Sequence, residues 1–243
     1  MKNFKGVKSM TGVSTAKGRE GRISCRVEIV SLNSKGSELK VMILPEIPGL
    51  ETKVREFLKK YLKDGKFIVK ISFPDTGVKF KLNKKLLEDL NLKTGKELTF
   101  MIDPFKIPGL VEFIYPEKKI WKLLRKVLKN AIESLEEKRI REGTEIKKAI
   151  ETEIDKIRRL LKNMKREGIN EEIVRIYSHL KAIKNILRNK KGPWGKLIDF
   201  YGQEILREAN TITQKTDVLE IINSAIRVKE GADNIRELSR NLV

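Results

Sequence analysis

The sequence predicts an α+β fold: a mixed α/β N-terminal domain over residues 1–116, then an all-helical C-terminal domain of long helices over residues 117–243. Three observations lead there. Short runs that alternate apolar and polar residues occur only in the first half. Pro104, Pro108-Gly109 and Pro116 punctuate the middle of the chain. Beyond Pro116 the apolar spacing changes to about 3.6 and stays there to the C-terminus.

In order along the chain, Ile23–Val30 alternates in part (Ile23, Cys25, Val27, Ile29), the period of a half-buried strand. Leu39–Leu44 is a second strand, and Phe67–Phe73 a third, introduced by the turn signal Asp64-Gly65. Between the last two, Leu50, Val54, Phe57, Leu58 and Tyr61 recur at helical spacing. Val78–Leu82 follows Asp75-Thr76-Gly77 as a further strand, and Asn83 is placed to cap a short helix ending near Asn91.

In the second half, Ile120, Leu123, Leu124, Val127, Leu128, Ala131 and Leu135 form one stripe. Ile146, Ile150, Ile154, Ile157, Leu161 and Met164 form another, after an expected bend at Gly143. Asn170 is the expected cap of a helix carrying Ile173, Ile176, Leu180, Ile183 and Leu187. Lys191-Gly192-Pro193 interrupts before a helix from about Gly195 to Ala209, with Asn210-Thr211 as its end. Asp217 and Glu220 have capping-box spacing for a last helix through Val228, Ile235 and Leu238. So few helices with one apolar stripe each point to burial against further subunits.

Composition narrows function. With 53 Lys and Arg against 33 Asp and Glu the net charge is +20, shared by both halves, which calls for a polyanionic partner, nucleic acid first. The longest apolar runs, such as Val41–Pro45, are too short to span a bilayer. No uninterrupted apolar stretch opens the chain, so no secretory signal and a cytoplasmic location are expected. A single cysteine, Cys25, excludes an intrachain disulfide and a Cys-based zinc cluster. His179 is the only histidine, which excludes mechanisms needing two imidazoles from one chain. Aromatic residues make up 6%, too few for an RRM-type stacking platform, and no P-loop or dinucleotide fingerprint is present.

Two segments carry candidate chemistry. Glu172, Arg175 and His179 fall within about 60° on one helix edge, flanking the apolar stripe. A carboxylate, a guanidinium and an imidazole there can position and protonate a phosphodiester, or equally form a solvated ion-pair edge. On the next helix, Asp199, Gln203, Arg207 and Asn210 make one polar row and Glu204 and Glu208 a second. Carboxylates at i and i+4 can hold a hard divalent cation, or simply pair with Arg207 and Lys215. Thr211, Thr213, Lys215 and Thr216 can hold phosphate, or form a plain capped turn. Arg19 and Arg22 in KGREGR can touch an RNA backbone or sit on a solvated hairpin, and Trp194 can stack a base or anchor two helices.

Specific strings in the chain resemble the YicC-like endoribonucleases of bacteria. Ser9-Met10-Thr11-Gly12 resembles the family's SMTG opening, and Glu28 and Asn33 in VEIVSLN its E…SVN segment. Leu44-Pro45, Gly65-Lys66, Pro108-Gly109 and Arg141-Glu142-Gly143 are similar to later landmarks. The specific part is C-terminal. Glu171 to Leu180 (EEIVRIYSHL) resembles EEL-x-RL-x-SHL. Gly195-Lys196-Leu197-Ile198-Asp199-Phe200, Gln203-Glu204, Arg207-Glu208 and Asn210-Thr211 resemble G-R-x-L-D-F-x-x-Q-E-x-N-R-E-x-N-T. The chain departs from the family at Leu206 (usually Asn), Gln214 (usually Ser) and Ser34-Lys35 (usually His-Arg), and it lacks one helix between Leu161 and Glu171.

The resemblance implies an endoribonuclease that cleaves single-stranded or structured RNA with a divalent cation, Mg or Mn, as a homohexamer closing on the strand. It implies catalytic roles for His179, Glu172, Arg175, Arg207 and Glu208. Glu204, Glu208 and Asp199 are the implied metal ligands, and Arg19, Arg22, Lys196, Gln203, Asn210 and Lys215 the RNA contacts. Charge alone predicts equally well a non-catalytic adaptor that delivers RNA to another RNA-degrading enzyme. A purely structural oligomer with incidental basicity is the third reading.

Overall fold

A computed structural model describes residues 6–34, 36–63, 65–94, 107–164, 168–189 and 194–243. Lys35, Asp64, Pro104 and Lys191-Gly192-Pro193, invoked above as motif, turn or break signals, lie outside the described residues. The fold is α+β, with mixed α and β structure followed by long helices.

The N-terminal part is built on a four-stranded sheet of β1 (Gly12–Glu20), β2 (Ile23–Leu32), β4 (Lys66–Thr76) and β3 (Glu38–Leu44), in that spatial order. β3 runs parallel to β4 and the other pairs are antiparallel, so α1 (Leu50–Lys59) forms the crossover between β3 and β4. Ile23, Cys25, Val27 and Ile29 of β2 and Phe67, Val69, Ile71 and Phe73 of β4 point to one face and are buried there. Burial pushes the Cys25 thiol up to about 11. A small second sheet pairs β5 (Lys79–Leu82) with β6 (Val111–Ile114). α2 (Lys84–Thr94) begins under the expected cap: Asn83 Oδ1 accepts from the Leu86 amide at 3.2 Å.

β1 and β6 escape the sequence reading. β1 turns Ser14, Ala16 and Gly18 inward rather than large apolar residues, because α3 lies directly on it. A Cβ on Gly18 would sit 2.4 Å from Val127.

α3 (Glu117–Lys162) is one continuous helix of 46 residues, and this corrects the expected bend at Gly143. The glycine answers a close approach instead. A Cβ there would lie 2.4 Å from the Val7 carbonyl oxygen and 2.8 Å from the Lys8 Cα. The first half of α3, Ile120 to Leu135, completes the core under the sheet. Its second half, Ile150 to Leu161, joins α4 (Asn170–Arg188), α5 (Trp194–Lys215) and α6 (Leu219–Ser239) in a separate core. The change from strands to helices thus falls at Pro116, while the two cores meet later, inside α3.

Three expected helix ends differ. Ile169, not Asn170, occupies the cap position of α4, with no side-chain cap. α5 runs past Asn210-Thr211 to Lys215. The Asp217–Glu220 box is not made: Val218 caps α6, and its amide is held by Thr216 Oγ1 at 3.2 Å. The helical stripes also satisfy one another within a single chain, since Ile150, Ile176, Ile205 and Val228 are all fully buried. What single-chain packing leaves in water are Val174, Leu197, Phe200, Leu219 and Ile226.

The SMTG string closes the chain on itself. The Lys8 and Val243 backbones exchange hydrogen bonds, and Met10 N–H donates to Asn241 O at 2.8 Å. Arg139, buried in α3, donates through Nε to Ser9 O at 2.7 Å, and Ser31 Oγ donates to Met10 O at 2.6 Å. Asn33 of the SLN segment donates to Arg240 O at 3.0 Å.

Candidate functional site

α4 and α5 lie side by side and antiparallel, and three rungs cross between them. Lys215 Nζ donates to Glu172 Oε1 at 2.7 Å. Arg175 Nη1 lies 3.5 Å from Glu208 Oε1. The His179 ring stands 5.8 Å from the Tyr201 ring. As the α4 number rises the α5 number falls, which is how two helices joined by a short connection pair. Each helix contributes one edge of its apolar stripe, so residues that merely flank a stripe in sequence meet across the seam.

The carboxylates of the rungs are buried, while their cations, Arg175 and Lys215, stay about half exposed. Glu172 is only 2% exposed and Glu208 7%. Burial alone would push the Glu172 carboxyl up, but the Lys215 hydrogen bond, with the charges of Lys215 and Arg175, holds it below the usual carboxylate range. Its second oxygen, Oε2, is buried with no partner. Arg175 also binds Glu171 one turn back, and its guanidinium is raised by Glu171 first and Glu208 second. Two carboxylates and two cations therefore alternate along the seam, with an imidazole at its end.

Glu172, Arg175, His179, Glu208 and Lys215 are thus brought together. Glu204 lies one turn from Glu208 on the same edge of α5 and is half-buried. Lys196, Gln203, Arg207 and Asn210 share the exposed outer face of that helix. Asp199 is not brought to this group: it pairs with Arg236 of α6 at 3.1 Å, on the opposite edge of α5. Arg19 and Arg22 sit at the tip of the β1–β2 hairpin, where Glu20 meets Lys122 of α3. That is on the order of 50 Å along α3 from the level of His179. Thr211 and Thr213 bond back to the carbonyls of Arg207 and Asn210 at 3.2 and 2.7 Å, so these hydroxyls serve their own helix. Trp194 is buried and donates to Asn189 O at 3.2 Å, the helix anchor rather than the base platform.

Tyr201 and Phe200 were missed as site residues. Phe200 is 57% exposed, its ring 5.4 Å from Tyr201, so three rings run from His179 out to solvent. Only the tertiary pairing of α4 with α5 reveals this.

For a divalent cation, the free Glu172 oxygen is a buried anionic donor without a partner. Among the described residues, no three His, Cys, Asp or Glu side chains converge to complete a shell. Among them too, no helix is long and apolar enough to cross a membrane.

A helical half that pairs acid, base and imidazole along one seam, on a chain of charge +20, suits a polyanionic ligand such as nucleic acid. The comparisons make it specific. The family model described as "Endoribonuclease YicC-like, C-terminal" matches residues 118–243, and "Endoribonuclease YicC-like, N-terminal region" matches residues 7–148. The chain belongs to the YicC-like endoribonuclease family. It is 26% identical to a protein of Clostridioides difficile (strain 630) named "Probable endoribonuclease YicC", over 96% of this chain and 99% of that one. A protein of the same name from Haemophilus influenzae is 26% identical over 88% of this chain and 92% of its own. The first alignment spans 291 positions against 243 residues here, so that relative carries segments this chain lacks.

Proposed function

We propose that this protein cleaves RNA internally, at the seam between α4 and α5. The observation that carries the reading is the convergence on that seam of Glu172, Arg175, His179 and Glu208, from the two strings that resemble the family most closely, with Lys215 just beyond the second.

Each group has a chemical task there. Lys215 and Arg175 offer cationic hydrogen bonds to a phosphate whose negative charge grows as the scissile bond is attacked. His179 is the residue type suited to moving a proton to or from the departing oxygen. Arg207, Gln203, Asn210 and Lys196, exposed along α5, hold the strand through its backbone. Mg or Mn is the proposed cofactor; Glu204 and Glu208, one turn apart on α5, would be its protein donors, and when bound such an ion would supply positive charge to the phosphate and acidify water. Association into a hexamer that closes on the strand belongs to the same reading. Exposed Val174, Leu197 and Phe200 support it, because packing within one chain leaves them in water. Arg19 and Arg22 then act on a distant stretch of strand or beside another copy's seam. The cytoplasm, where RNA is abundant, is the proposed location.

The test is incubation of pure protein with end-labelled RNA, with and without EDTA, followed by end-group analysis. Cleavage that stops with EDTA and leaves 5′-phosphate and 3′-hydroxyl ends is expected. A 2′,3′-cyclic phosphate would mean attack by the RNA's own 2′-hydroxyl and would remove water activation from the scheme. His179→Ala and Glu208→Gln should bind RNA and leave it intact. Wild-type protein that binds but never cuts would establish the adaptor instead.

A further inference from the structure

On its far side, α4 faces a second feature that the seam does not use. Tyr177 and Lys184 lie about 150° around α4 from the edge carrying Arg175 and His179. They face the last turns of α3 across an open groove of about 570 Å³, lined by Asp155, Arg158, Arg159, Lys162 and Tyr177. The groove exists because α3 and α4, the ends of the helical row α3–α6–α5–α4, touch less than the other neighbouring helices do.

Its charge is one-sided. Asp155 is the single carboxylate in the lining, and Lys184 already neutralises it at 2.9 Å. Among the described residues, Arg158, Arg159 and Lys162 form no salt bridge, although the charges of Arg158 and Arg159 join Lys184 in holding the Asp155 carboxyl low. Arg158, Arg159 and Lys162 lie within about 100° of one helix face with Asp155 among them, and a single carboxylate already paired with Lys184 leaves the lining in positive excess. Arg159 and Lys162 in the last turn also complement the helix dipole, which would account for those two alone. It does not account for Arg158, the residue before Arg159, whose Nε is buried with no acceptor among the described residues. Arg158 is itself only partly buried and lines the groove, where an anion would pair with its guanidinium. Tyr177, whose hydroxyl donates to Arg158 O at 3.4 Å, forms the groove's aromatic wall.

We propose that this α3–α4 groove is a second RNA site, which takes backbone phosphates of the strand outside the cleavage seam. Arg158 and Arg159 supply hydrogen bonds to phosphate oxygens and Lys162 supplies charge. The inference rests on the RNA-handling reading, but it does not require that the seam cleaves. Because the groove and the seam lie on opposite sides of α4, a strand that occupies both must cross that helix or pass between copies. Substrates too short to do so are served by the seam alone.

The test compares wild type with the triple variant Arg158→Gln, Arg159→Gln, Lys162→Gln. Binding of a fluorescein-labelled single-stranded RNA of about 20 nucleotides is followed by anisotropy across a salt series. The triple variant should bind roughly tenfold more weakly at low salt, and its log–log salt slope should fall by about 2, near 0.7 for each lost phosphate contact. Its cleavage of a tetranucleotide should match wild type. Lys162→Gln alone, a mild surface change, should lower the slope by about 0.7 and keeps the test valid if the triple variant fails to fold. Unchanged affinity and slope in a folded variant would overturn the proposal. So would loss of inorganic phosphate binding with RNA binding intact, which would mark a small-anion pocket. If wild type binds RNA without cutting it, the seam reading fails while the salt slopes still decide the groove.

Discussion

Replacing Lys215 with Met probes the seam most directly. Lys215 is the one side chain whose hydrogen bond reaches the buried carboxylate of Glu172, at 2.7 Å, and Glu172 Oε2 already has no partner. Met keeps much of the side-chain volume and removes the charge, so Oε1 loses its lysine partner beside an Oε2 that already lacks one. A hydrogen bond to a charged group is worth about 1.5–3 kcal/mol. The side chain of Lys215 is 46% exposed against 3% for Glu172, so water screens part of this and the expected loss is about 1–2 kcal/mol. For a chain of this length that lowers the midpoint of thermal unfolding by roughly 2–8 °C, read by circular dichroism at pH 7.

The pH dependence fixes the cause. The Glu172 carboxyl is held below its ordinary value of 4.5, so its ion pair contributes fully above that pH and is lost as pH falls through the lowered folded value. The gap between wild type and Lys215→Met should therefore narrow as pH falls below 4.5. Adding Glu172→Gln to Lys215→Met should recover at least half of the loss at pH 7, because the stranded charge is gone. A single variant as stable as wild type, or a double variant losing the sum of both, would refute the buried-pair account.

Two further outcomes test the neighbouring geometry. Gly143→Ala should destabilise by about 1–3 kcal/mol in thermal unfolding, since its methyl meets backbone atoms of Val7 and Lys8 rather than a side chain able to move. Tyr201→Leu should lower the cleavage rate by about tenfold with RNA affinity unchanged, because it frees the His179 ring without touching an exposed cation.

Much of the fold is legible in the sequence because periodicity reports burial, and burial here is one-sided. The stripes on α3 to α6 and the alternation in β2 are buried where their spacing places them. The errors share one physical origin. Gly143 reads as a bend and β1 shows no strand pattern, yet Gly143 and the inward Ser14, Ala16 and Gly18 are small because another segment presses on them: Val7-Lys8 on Gly143, α3 on β1. Local sequence shows that a side chain is missing, not what fills the space. The same blindness governs the site. Glu172, Arg175 and His179 are recognisable as an edge, and Glu204 and Glu208 as another, but nothing local tells a solvated ion-pair row from a buried seam. The decision is made when antiparallel pairing sets Lys215 over Glu172 and Glu208 beside Arg175, while the opposite edge of α5 gives Asp199 to Arg236. An acidic residue on the wrong edge of an otherwise matching helix is a structural tie to α6, so Asp199→Asn should weaken that tie and leave cleavage intact.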